Sequence, residues 1–285
     1  MRPQDTVFYE KTELIFDPNS GPLVMGILNV TPDSFFDGGK FTSEAAMLEH
    51  CQHMIAEGAD IIDIGAYSTR PGANDISETE EEERLIKAIK LIRKQFPELL
   101  ISVDTFRAVI ATKAIDAGAN IINDISGGTL DKNMFSTVAK LQVPYILMHI
   151  QGTPQTMQQN PEYRNVTDDI LTFFNNKLKE LKALDFSKVI LDPGFGFGKT
   201  VEHNYELLKN IEKLNSLGFP VLVGFSRKAM INKLLNVKAV EALNGTTVLN
   251  TIALERGAKI LRVHDVKEAK EAVTIVEYFK KIKSS

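Results

Sequence analysis

The chain of 285 residues has no tryptophan and a single cysteine, Cys51. One thiol cannot close an internal disulfide, which excludes a disulfide-held scaffold and suits a reducing compartment. An excess of positive charge is also missing: 33 Lys and Arg stand against 37 Asp and Glu, a formal net of −4. Nucleic-acid binders usually carry a basic balance or a basic run, and this chain has neither. No apolar run approaches membrane-spanning length, and no apolar core follows Met1. A cytoplasmic protein with no nucleic-acid and no membrane partner is therefore expected. Low-complexity tracts and long linkers are lacking too, so residues 1–285 are expected to form one unit. The 44% hydrophobic and 25% charged residues that remain are those of a soluble globular chain.

Short runs rich in Val, Ile and Leu recur, each opening into a polar or glycine-rich turn. They cover Leu23 to Thr31, Ala59 to Ala66, Leu100 to Thr105, Ala119 to Ile125, Pro144 to Ile150, Val189 to Phe195, Pro220 to Ser226 and Lys259 to Asp265. Being apolar on both faces, they read as strands buried in a parallel sheet. Amphipathic stretches alternate with them: Ser43 to Glu57, Ser77 to Gln95, Arg107 to Ala117, Glu162 to Leu184, Glu202 to Leu217 and Val266 to Ile282. Ser77 and Glu80 have capping-box spacing, and Glu80 to Glu83 reads as a solvated acidic first turn. The expected fold is α/β: a single (β/α)8 TIM barrel, with an open doubly wound sheet as the rival. Val7 to Phe16, within an extension over residues 1–22, reads as a short N-terminal β-hairpin plugging the barrel floor.

A barrel places its chemistry at the C-terminal ends of its strands. Polar residues collect there: Asn29 and Thr31, Asp104, Asn123 and Asp124, Asp192, Ser226 with Arg227 and Lys228, then Arg262 and His264. Residues two apart share a strand face, so Arg262 and His264 point together and form a candidate anion clamp with Lys228. Simple pairing of that Arg and His with carboxylates such as Asp265 is the alternative. Asp104, Asn123 and Asp192 suit a heterocycle with an aminopyrimidinone edge, since a carboxylate accepts two adjacent N–H donors. A glycosidase pair of carboxylates is the other reading.

The loop Asp192-Pro-Gly-Phe-Gly-Phe-Gly-Lys-Thr200 is not a Walker A loop. That motif needs glycine five positions before Gly198, where Pro193 stands. Its glycines are read as letting the backbone and the Phe195 and Phe197 rings approach a ligand. His50, Cys51 and His53 lie within a helical stretch and read as helix-surface residues rather than a metal cluster. His149 either lines the mouth or is a satisfied structural histidine.

Two long motifs carry a family resemblance. Met25-Gly-Ile-Leu-Asn-Val-Thr-Pro-Asp-Ser-Phe35 with Asp37-Gly-Gly39, and Asp63-Ile-Gly-Ala-Tyr-Ser-Thr-Arg-Pro-Gly72, resemble the signatures of dihydropteroate synthase. Ser102-Val-Asp-Thr105, Ile122-Asn-Asp124, the Asp192 to Lys199 loop, Ser226-Arg-Lys228 and Arg262-Val-His264 continue the resemblance in the family's order.

The resemblance implies condensation of 6-hydroxymethyl-7,8-dihydropterin diphosphate with p-aminobenzoate, giving 7,8-dihydropteroate and diphosphate for folate synthesis. It implies a pterin site of Asp104, Asn123, Met148, Asp192, Lys228 and Arg262. Asn29, Arg262 and His264 would hold the diphosphate, with Mg²⁺ at Asn29. Phe35, Thr69, Arg70, Pro71 and Phe197 would form the p-aminobenzoate pocket. Asn29, Asp33, Arg70, Asp104, Lys228, Arg262 and His264 would serve catalysis, Asp33 and Arg70 by closing over the site. A homodimer is implied as well. The nearest alternatives are a pterin-binding methyltransferase that acts on a corrinoid protein and an inactive pterin-binding paralogue. The sequence departs from the family at Phe36, at Ala66-Tyr67, and at Ala229, where a serine that could help hold the p-aminobenzoate carboxylate is frequent.

Overall fold

The structure is a computed structural model describing residues 3–30, 40–66, 76–159 and 161–282. Helix α1 (Pro3–Phe16) leads into β1 (Leu23–Asn29), followed by α2 (Lys40–Ala56), β2 (Ile61–Gly65) and α3 (Glu78–Gln95). Next come β3 (Leu100–Asp104), α4 (Ala108–Ala117), β4 (Ile121–Asp124), α5 (Met134–Leu141) and β5 (Tyr145–Met148). Helix α6 (Val166–Ala183), β6 (Val189–Asp192), α7 (Val201–Lys209), α8 (Ile211–Asn215) and β7 (Leu222–Val223) follow. Helices α9 (Ala229–Leu235) and α10 (Leu243–Glu255) precede β8 (Ile260–Val263), and α11 (Val266–Lys281) comes last.

All pairings are parallel, in the order β6-β5-β4-β3-β2-β1-β8-β7. A parallel bridge between Leu191 and Val221 joins β6 to β7. The circle is thereby nearly closed, which decides for the barrel over the open sheet. The outer core lies between strands and helices, where Ile62, Ile64, Val103 and Leu147 meet Leu85, Ile89 and Phe174.

Ser77 caps α3 as its spacing predicts, its hydroxyl accepting from the N–H of Glu80. Gly218, just past α8, adopts φ +79°, a left-handed turn that glycine accepts cheaply. The predicted Glu162 to Leu184 helix starts later, at Val166, because Asn165 supplies the cap through its bond with the N–H of Asp168. The predicted Glu202 to Leu217 helix is broken at Asn210, whose side chain turns back to the Glu206 carbonyl.

Two expectations are corrected. The N-terminal hairpin is instead the helix α1. Residues 7–16 contain no Gly, Pro or Asn to turn a hairpin, and Thr12 bonds back to the carbonyls of Phe8 and Tyr9. Its plugging role stands, for Ile15 is buried in the floor cluster. The acidic turn is not wholly solvated either: Glu81 is fully buried, bonded to the Thr105 hydroxyl and paired with Arg107. Burial raises its pKa against the opposing pull of those two partners.

Candidate functional site

The barrel interior is built in layers, because side chains two apart on a strand share a face. The lowest layer is apolar: Ile61, Leu100, Ile121, Ile146, Ile190 and Ile260 pack with Ile15 beneath them. Two residues further along the same strands stand Asp63, Ser102, Asn123, Met148, Asp192 and Arg262. One step toward the mouth thus converts a hydrocarbon floor into a ring of charge and amide.

Asp63 organises the ring. Fully buried, it accepts from the Ser102 hydroxyl at 2.6 Å, the Asn123 amide at 3.0 Å and Arg262 Nε at 2.7 Å. Arg262 Nη2 reaches Asp104 Oδ2 at 3.1 Å. Burial and the adjacent Asp63 charge push the Asp104 carboxyl well above its ordinary range, while Arg262 pulls it back. Asn29 sits at the same height, in register with Gly65, which is itself in register with Asp104. Asp124 points the other way from Asn123 and belongs to the wall, accepting from Ser126, Gly128 and the Tyr145 hydroxyl.

On the opposite arc Asp192 accepts from the N–H of Gly194 at 2.7 Å. Gly194 has φ +67°, and a Cβ there would come within 2.0 Å of the His149 carbonyl oxygen, so only glycine fits. Lys199 is buried behind this loop and donates to the carbonyls of Gly194 and Phe197, both at 2.9 Å. Its Nζ also lies 3.1 Å from His149 Nδ1. Burial lowers the Lys199 pKa to about 7 and holds His149 neutral. His149 is thus a structural histidine, packed between Tyr163 and Phe173. The two phenylalanines of the loop divide their work. Phe195 is buried against Phe225 and approaches no ligand space, whereas half-buried Phe197 lies under Lys228 Nζ, 4.7 Å from ring centre to amine. Lys228 donates to the Phe195 carbonyl, and burial lowers its pKa to about 8 although Asp192 opposes the shift.

At the rim His264 meets Ser226, and Arg227 pairs with Asp265. Arg262 does pair with carboxylates, as the alternative reading has it, but these are Asp63 and Asp104 and not Asp265. Asp104, Asn123, Met148, Asp192, Lys228 and Arg262 therefore converge. Asp33, Phe35, Thr69, Arg70 and Pro71 lie outside the described residues. Cys51 is buried, while His50 and His53 are exposed on α2, and no group of three or more metal-ligating side chains occurs among the described residues. Sequence reasoning missed Asp63, although a carboxylate flanked by isoleucines in a buried strand was a signal for it. Lys199 and Ser226 were quoted in motifs but assigned no role.

A family model for pterin-binding enzymes matches residues 25–264. The dihydropteroate synthase of Haemophilus influenzae is 45% identical over 249 residues, 87% of this chain and 90% of that protein. The Yersinia pestis dihydropteroate synthase in a sulfonamide drug complex superposes with TM-score 0.87 at 43% identity, covering 93% of this chain and 96% of that one. The chain belongs to the dihydropteroate synthase family. A further member, the Xanthomonas albilineans dihydropteroate synthase in complex with 7,8-dihydropteroate, superposes with TM-score 0.84 at 34% identity, covering 94% of this chain and 96% of that one. In this dihydropteroate synthase-family chain the matched stretch runs from within β1 to His264, and so holds every residue of the polar ring. The floor helix α1 and the whole of α11 fall outside it.

Proposed function

We propose that the chain condenses 6-hydroxymethyl-7,8-dihydropterin diphosphate with p-aminobenzoate to give 7,8-dihydropteroate and diphosphate, a step of folate synthesis. The observation that carries this reading is the ring of Asp63, Asp104, Asn123, Asp192, Lys228 and Arg262 on a dry floor.

The aminopyrimidinone edge of the pterin would donate to Asp192, with Asn123 and Lys228 completing its hydrogen bonds and Met148 packing on the ring. The C–O bond to diphosphate then breaks, the electron pair leaving with the diphosphate and a cation remaining on the dihydropterin. Carboxylates held in place around that cation stabilise it without having to reorient. The neutral aniline nitrogen attacks the methylene carbon and afterwards loses a proton. An arylamine is nucleophilic while neutral and needs no strong base for this. Phe197, with Phe35, Thr69, Arg70 and Pro71, would receive p-aminobenzoate, and a sulfonamide would compete there. Asp33 and Arg70 would close over the bound substrates.

Arg262 already meets two carboxylates. Diphosphate therefore needs charge from elsewhere, and we assign that part to Mg²⁺. A hard cation that arrives with the diphosphate needs few protein ligands, and the Asn29 amide oxygen is a suitable one. Bound there, Mg²⁺ would neutralise the departing charge. Arg262 and His264 would hold the remaining diphosphate oxygens.

We also infer a homodimer in the cytoplasm. Val248 and Ile252 of α10 and Ile275, Tyr278 and Phe279 of α11 are exposed on helices that pack side by side, Tyr278 and Phe279 by 70% and 68%. Such a patch favours a partner surface. No helix among the described residues is long and apolar enough to cross a membrane.

The deciding experiment measures diphosphate release by purified protein with Mg²⁺, with and without p-aminobenzoate. Release that depends on p-aminobenzoate and yields dihydropteroate is expected. Tight pterin binding without turnover would sink the reading.

A further inference from the structure

Five successive carbonyls of the loop after β6 each accept a side-chain donor. Lys199 Nζ holds those of Gly194 and Phe197, and Lys228 holds that of Phe195. The Gln158 amide reaches Gly196 at 2.7 Å, and the Tyr163 hydroxyl reaches Gly198 at 2.8 Å. The three glycines among these residues all have positive φ. Glycine has the most backbone freedom to lose, so the shape of the loop depends on these ties.

Lys199 stands apart from the other donors. Gln158 is exposed, where water can replace its amide, but Lys199 is only 3% exposed. A buried carbonyl that loses its donor is costly. The Gly194 carbonyl also accepts the Phe197 N–H at 3.0 Å, closing a tight turn, and Nζ lies behind that turn, 2.9 Å from both end carbonyls. A third contact, 3.1 Å to His149 Nδ1, ties the turn to the end of β5, where the His149 main-chain N–H bonds to the Asp192 carbonyl at 2.9 Å. The amine carries three protons when charged and two when neutral, enough for both carbonyls in either state. In sequence this is the lysine of a Gly-Lys-Thr step; in the fold its amine faces the chain's own carbonyls.

The same turn presents two groups of the site. Its first residue, Gly194, directs an N–H at the Asp192 carboxylate, and its last, Phe197, lays a ring under Lys228. We propose that Lys199 is a positioning residue: by holding the carbonyls at both ends of the turn, it sets the Asp192 carboxylate for the pterin and the Phe197 ring for p-aminobenzoate. The inference rests on the assignment of those two residues to those substrates made above. A displacement of the turn by a fraction of an ångström would misplace both subsites together.

The test compares full-length wild type with Lys199→Met, which keeps an unbranched side chain and removes the donor. Deuterium exchange read by mass spectrometry reports on residues 193–199, where the N–H groups of Gly194, Gly196 and Phe197 are bonded to Asp192, Asn204 and Gly194. Lys199→Met should exchange faster in that peptide and like wild type elsewhere. Calorimetry should show 6-hydroxymethylpterin binding about tenfold more weakly, roughly the net contribution of one hydrogen bond. KM for p-aminobenzoate should rise about fivefold, with kcat less changed than KM. Lys199→Gln keeps two N–H donors on a slightly shorter stem and should fall between the two; it carries the same readouts if Lys199→Met does not fold. Wild-type exchange in residues 193–199 overturns the proposal, as does faster exchange spread over the whole chain. Local loosening with pterin affinity and KM unchanged overturns the positioning role. If wild type itself shows no p-aminobenzoate-dependent release, the proposed reaction falls, and exchange with pterin binding still decides whether Lys199 sets Asp192.

Discussion

Arg262 donates through Nε to Asp63 at 2.7 Å, one layer above a floor made only of hydrocarbon. The pair is cross-linked further by Ser102, Asn123 and Asp104, so neither partner can turn without disturbing the ring. Asp63→Asn keeps the shape and removes the charge. Breaking a buried pair from one side costs about 3 kcal/mol, the low end of the usual range because Arg262 is not wholly enclosed. Urea unfolding should show that loss, and turnover should fall at least tenfold as Arg262 swings toward Asp104. Unfolding within about 0.5 kcal/mol of wild type would mean that the pair contributes little.

Gly194 and Gly218 form a matched control, with φ +67° and +79°. At Gly218 a Cβ meets nothing within 4 Å, whereas at Gly194 it would collide with the His149 carbonyl. Gly218→Ala should cost only the left-handed backbone penalty, about 1 kcal/mol. Gly194→Ala should cost more and also weaken pterin binding, because the loop must move and Asp192 loses its Gly194 N–H. Calorimetric titration with a pterin separates the two variants. Equal pterin affinity in both would show that the loop does not set the Asp192 position.

Lys199 makes stability depend on alkaline pH. Its pKa falls from 10.5 to about 7 on folding, chiefly through burial. Below pH 7 the folded and unfolded chains both carry the proton, and the cost of burying the charge is felt in full. Between pH 7 and 10.5 the unfolded chain binds more protons, so stability rises with pH. Lys199→Met should flatten that rise in denaturant titrations at pH 7, 8.5 and 10. An unaltered slope would place the titration elsewhere.

Ala229 is exposed beside Lys228, at the position where the family resemblance led a serine to be expected. Ala229→Ser adds a hydroxyl that could bond the p-aminobenzoate carboxylate. A bond to a charged group contributes about 1.5–3 kcal/mol when well made. A several-fold lower KM for p-aminobenzoate with kcat unchanged is expected. No change in KM would place that carboxylate away from α9.

The eight strands were legible because both-face apolar runs ending in turns have few other solutions, and every expected strand overlaps an observed one. Their place at the C-terminal ends of strands likewise brought Asp104, Asn123, Asp192 and Arg262 to one space. Helix α1 was misread since Val7 to Phe16 mixes apolar and charged residues without a clear helical stripe. Glu81 sat within an acidic run that resembled a solvated turn, and only the tertiary approach of Thr105 and Arg107 buries it. Asp63 was quoted in a motif but given no role, because its three partners come from β3, β4 and β8, far apart along the chain. Ser226 was named among the strand-end polar residues but given no role, because its partner His264 comes from another strand.

Ile15 packs into the floor cluster, so among the described residues the barrel is closed at its base and the Asp63 layer faces the mouth. Whatever reaches the Asp63 layer must descend before anything settles at the rim, and it can climb out only after the rim clears. For the proposed reaction this would have the dihydropterin diphosphate arrive ahead of p-aminobenzoate.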